Sequence, residues 1–131
     1  MHTFTLFRLR QNEAINGYMK MYNHGIIDYS TDQFWWTSTP IDYHQKDVFS
    51  KLCDKNNRRL FEHDVVAMRT TPHPKPTTTA QMVYDHDRQT ILLIDLTTHQ
   101  PYELFAGRVP LIHKQELTFL GYAFQDNNDT C

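Results

Sequence analysis

The sequence predicts a mainly β domain, antiparallel and meander-like with little helix, and three observations carry that prediction. Short runs rich in Phe, Tyr, Trp, Val, Ile and Thr alternate with polar residues, as half-buried strands do. Turn signals separate these runs closely, and with only four glycines in 131 residues the turning falls to Asn, Asp and Pro. Apolar residues at 40% and aromatics at 13% supply a core of the size one domain needs, so a single domain over 1–131 is expected. The turn spacing predicts about seven to nine strands.

Phe4, Leu6, Phe7 and Leu9 alternate with Thr and Arg, which predicts a first strand with one face turned inward. Asn16-Gly17 predicts a tight turn, because both residues accept positive φ. Strands over Tyr18–Tyr22 and Ile26–Tyr29 flank His24-Gly25, a second hairpin signal. Phe34-Trp35-Trp36-Thr37 has strand propensity, and consecutive tryptophans on a strand point to opposite faces. Trp35 and Trp36 are therefore either both core packing or one exposed anchor for a partner. Val48, Phe49 and Leu52 would suit a short helical turn, but periodicity leaves that segment open.

Asp54-Lys55-Asn56-Asn57 is a polar turn, followed by strand residues at Leu60-Phe61 and Val65–Met68. Residues 70–79, with prolines at 72, 74 and 76, predict a mobile loop or extended arm. Gln81–Tyr84, Ile91–Leu96 and Tyr102–Phe105 predict a second meander. Leu117–Phe124 carries Gly121 in mid-run, which suggests a bulge or a close backbone approach, and 125–131 should fray.

The chemistry-bearing residues are sparse. Eight histidines are scattered without the short Cys or His spacing of zinc sites, so no metal and no cofactor are expected. Asp85-His86-Asp87 reads as a solvated hairpin tip, and Glu62-His63-Asp64 as a structural step in which Glu62 and Asp64 share one strand face. Gly-rich phosphate loops, nucleophile elbows and Cys-x-x-Cys pairs are missing, so an enzyme is not expected. Cys53 and Cys131 are expected to be thiols. The start, Met1–Arg8, lacks a signal-peptide pattern and no apolar stretch could span a membrane, so a soluble, cytoplasmic protein is expected. Thirteen Lys+Arg against fifteen Asp+Glu give −2, which disfavours a general nucleic-acid coat. Lys51, Lys55, Arg58 and Arg59 form the one dense basic cluster. It reads either as a solvated turn or as a contact for an acidic partner or nucleic acid.

The stretch Ser50–Val66, SKLCDKNNRRLFEHDVV, resembles the signature of the YopX family of small phage and prophage proteins, roughly TGLKDKNGKEIYEGDIV. Leu52, Asp54-Lys55-Asn56, Glu62, Asp64 and Val66 match, while Lys51, Asn57 and His63 stand where that motif has glycine. Phe7-Arg8 with Met19 and Met21 resembles the family's opening, and Leu117–Asn127 its closing segment. The resemblance implies a small β-barrel, a tendency to self-associate and no catalytic residue.

The preferred expectation is a phage- or prophage-encoded accessory protein, acting in the bacterial host cell, that binds and inhibits a host protein such as a CRISPR effector nuclease. Trp35, Trp36, Lys51, Lys55, Arg58 and Arg59 are its expected partner-binding residues. A nucleic-acid-binding small barrel and an oligomeric structural accessory are the alternatives.

Overall fold

The structure, a computed structural model, describes residues 3–69 and 77–124. It is built of twelve antiparallel-paired strands and one 3-10 turn at Lys114–Glu116, with no α-helix among the described residues. The strand count exceeds expectation because four strands of two or three residues leave no alternation to detect. The chain divides into two compact units, Met1–Phe49 and Ser50–Cys131.

In the first unit β1 (Phe4–Gln11) pairs with β2 (Ala14–Tyr22), and β2 with the short edge strand β3 (Ile27–Ser30). On its other side β1 pairs with the first half of β4 (Gln45–Cys53), in register from Phe7↔Val48 to Arg10↔Gln45. Residues directly opposite share a face. One face therefore carries Phe7, Leu9 and Met19, against which Met21, Ile27, Tyr29, Ile41, Tyr43 and Val48 pack. The opposite face carries a buried charge cluster. Arg8 and Arg10 both donate to Asp47, Arg10 through Nε at 2.8 Å and Nη2 at 2.8 Å, Arg8 through Nε at 3.0 Å. All three are buried, so the charge-assisted bonds replace the water that each lost.

The expected turn at Asn16-Gly17 is corrected: both lie inside β2, and Asn12-Glu13 makes the turn, with Asn12 at φ 58°. Gly17 sits opposite Leu9, beside an irregularity in the β1–β2 register. A Cβ there would lie 2.7 Å from the Ser30 carbonyl oxygen, so close backbone approach, not turning, requires glycine. The segment left open around Val48, Phe49 and Leu52 lies in β4, not a helical turn.

In the second unit the last residues of β4 neighbour β5 (Arg59–Phe61). β6 (Asp64–Met68), β7 (Thr78–Asp85), β8 (Thr90–Asp95), β9 (Pro101–Glu103) and β12 (Leu117–Tyr122) form a sheet in the order β12-β6-β7-β8-β9. A two-stranded ribbon, β10 (Phe105–Ala106) with β11 (Val109–Pro110), leads into the 3-10 turn. That sheet order runs open between β12 and β9, so it forms no closed barrel among the described residues. Val66, Met68, Ala80, Met82, Leu93 and Leu117 are among its buried residues. The register of β12 against β6 shifts between Phe119 and Gly121, the bulge that Gly121 signalled.

Glu62 and His63 form a turn between β5 and β6 rather than strand, and only Asp64 enters a strand, where its Oδ2 accepts the Phe61 N–H at 2.8 Å. Lys51, Asn57 and His63 have φ of 71°, 64° and 75°. These are the left-handed conformations glycine adopts at least cost. Of the 70–79 arm, residues 70–76 lie outside the described residues, as does the tail from 125; Thr78 and Thr79 already belong to β7.

Candidate functional site

The predicted site residues fall in two places, one in each unit. In the first unit, residues 31–36 form an ordered loop after β3, not a strand. Ser30 begins the loop: its buried hydroxyl accepts the N–H of Gln33 at 2.8 Å and of Asp32 at 3.2 Å, and donates to Asp32 Oδ1 at 3.0 Å. Asp32 Oδ1 in turn accepts the N–H of Phe34 at 2.8 Å and of Trp35 at 2.9 Å. Such side-chain-to-backbone bonds compete with strand pairing, which is why strong β propensity did not produce a strand here. The chain rejoins β3 at Thr37, whose N–H and carbonyl both bond Tyr29.

This bracket turns two rings outward. Phe34 is 86% and Trp35 77% exposed, the two most exposed large apolar side chains among the described residues. Trp36 is half-buried: its indole N–H donates to the Gln33 carbonyl at 3.1 Å, and the Lys20 ammonium sits 4.3 Å from its ring centre. The same ammonium lies 4.8 Å from the ring of Phe4, itself 44% exposed. The two tryptophans thus differ in exposure, but through loop geometry and not through strand alternation.

In the second unit, Asp54 organises the turn that opens the basic cluster. Its Oδ1 accepts the N–H of Asn56 at 2.9 Å and of Arg58 at 3.0 Å, and its Oδ2 accepts the Phe119 N–H at 3.0 Å. Burial alone would raise this carboxyl's pKa. The N–H groups of Phe119, Arg58 and Asn56, with the Arg58 charge, outweigh burial and hold it below the usual carboxylate value. Arg58 lies over Phe119, its guanidinium carbon 3.6 Å from the ring centre, and its Nη2 donates to the Tyr122 hydroxyl at 2.5 Å. Lys51, Lys55 and Arg59 are exposed nearby in sequence, and Lys114 donates to Asn57 at 2.7 Å. Sequence reasoning missed Phe34, Lys20, Phe119, Tyr122 and Lys114. The exposed Phe34 adjoins a predicted anchor, but no signal in the sequence joins positions 58 and 119.

The other expected clusters have structural work. Asp85 accepts the N–H of Asp87 at 3.0 Å and pairs with Arg88 at 3.5 Å, as hairpin-tip residues do. Cys53 is a free thiol. No helix among the described residues is long and apolar enough to cross a membrane. No protein family, curated protein or solved structure matches the chain.

Proposed function

We propose that this chain is a non-enzymatic binding protein that docks a protein partner through Phe34 and Trp35. The carrying observation is that two large aromatic side chains, 86% and 77% exposed, are held out by a hydrogen-bonded bracket around Asp32. Exposing such rings forfeits their burial free energy, and ordering the loop in advance lowers the entropy cost of association. Buried aromatics are the commonest anchors of protein interfaces.

The narrower proposal is a phage or prophage accessory protein that inhibits a host protein, such as a CRISPR effector nuclease, in the bacterial cytoplasm. What supports it is the resemblance of Ser50–Val66 to the YopX signature. The positive φ of Lys51, Asn57 and His63, the three positions where that signature carries glycine, adds to that support. The test is affinity capture from nuclease-treated bacterial lysate with the native chain and with a Phe34→Ser, Trp35→Ser double variant. A partner retained by the native chain and lost by the variant supports the proposal. Capture that needs nucleic acid, or that the variant retains, contradicts it.

A further inference from the structure

We propose that the 54–58 turn and β12 form a second docking site, for a short acidic segment of a protein partner, with Arg58 as its anchor. The site lies wholly in the second unit and does not rest on the Phe34 and Trp35 reading.

A surface arginine usually binds at the cost of freezing a flexible side chain. Here that cost is already met within the fold. Asp54 clasps the backbone N–H of both Arg58 and Phe119, fixing the arginine and the ring beneath it with one carboxylate. The guanidinium carbon lies 3.6 Å from the centre of the Phe119 ring, and Nη2 is tied to the Tyr122 hydroxyl. Arg58 is nevertheless an exposed residue, open to a partner from solvent. That planar fork matches the two oxygens of a carboxylate. Lys55 and Arg59 flank it in sequence, and the ammonium of Lys114 is drawn to the turn through Asn57.

Charge favours an anionic occupant, and two observations favour acidic side chains over a nucleic-acid strand. Aromatic surface that bases would use for stacking is already in contact, Phe119 with Arg58 and Tyr122 with Phe124 in a stacked pair 5.0 Å apart. The chain carries −2 overall, so no long-range field gathers a polyanion, and attraction is confined to this patch.

The test is fluorescence anisotropy of a short labelled Glu/Asp-rich peptide titrated with the full chain, with labelled oligothymidylate of equal charge as second probe. Saturable peptide binding is expected, weakened about tenfold by Arg58→Lys, which keeps the charge and loses the fork. Trp35→Ser should leave peptide binding unchanged, which separates this site from the other. Thermal melts establish that each variant is folded. Peptide binding unaffected by Arg58→Lys, tighter binding of the oligonucleotide, or no saturable peptide binding would overturn the proposal.

Discussion

Asp32 Oδ1 accepts the backbone N–H of Trp35 at 2.9 Å, and by that bond an exposed indole is tied to an ordered loop rather than left on a floppy one. The same oxygen holds Phe34 at 2.8 Å, so one carboxylate presents both rings. Presentation and recognition are thereby separable: Asp32 can be changed without removing either ring.

The first prediction concerns pH. The N–H groups of Trp35 and Phe34 and the Ser30 hydroxyl hold the Asp32 carboxyl below its ordinary value of 3.8. A lowered folded-state pKa means the bracket is fully present above the ordinary value and is lost as pH falls through the folded one. Acrylamide quenching of tryptophan fluorescence should therefore stay constant from neutrality to about pH 4 and change only below it. Asp32→Ala should show the low-pH quenching already at neutral pH, and native-like quenching in that variant would refute the bracket.

The tryptophans should respond unequally to truncation. Trp35→Ala is expected to shift stability by no more than about 0.5 kcal/mol, as exposed positions do. Trp36→Ala removes the indole bond to Gln33 and the Lys20 contact, and should cost about 1–2 kcal/mol. Urea denaturation of both variants gives the comparison, and equal losses would contradict it.

The buried charge cluster should be intolerant of losing its anion. Asp47→Ala leaves Arg8 and Arg10 buried without the carboxylate that both bond, and should cost about 3–5 kcal/mol in urea denaturation. A loss under about 1 kcal/mol, ordinary for an exposed pair, would show that water reaches the cluster.

Two glycine exchanges should act with opposite signs. Gly17→Ala forces a Cβ to within 2.7 Å of the Ser30 carbonyl oxygen and should destabilise by about 1–3 kcal/mol. Lys51→Gly removes left-handed strain at φ 71° on an exposed residue. After the extra entropy of glycine in the unfolded chain, it should stabilise by about 0.5–1 kcal/mol. Differential scanning calorimetry distinguishes the signs, and a Gly17→Ala variant as stable as the native chain would contradict the close backbone approach at that position.

Apolar runs were legible because their pattern is a local property: Phe4 to Leu9 and Gln81–Tyr84 lie within observed strands, and Ile91–Leu96 overruns β8 by one residue. Gly121 and the 54–57 turn were legible for the same reason, a special residue marking a special backbone. Asn16-Gly17 misled because glycine serves close approach as well as turning, and only the position of Ser30 distinguishes the two. Phe34–Thr37 misled because a single upstream carboxylate outcompeted strand propensity. The seat of Arg58 on Phe119 joins positions far apart in sequence and became visible only with the register of β12.

The central claim is that Trp35 is buried by a partner. In a Trp36→Phe variant Trp35 is the only tryptophan, and its emission reports its own surroundings. Adding the captured partner should shift that emission to the blue and protect it from acrylamide. If the partner binds and the emission of Trp35 stays that of a solvent-exposed indole, the proposed docking loop is wrong.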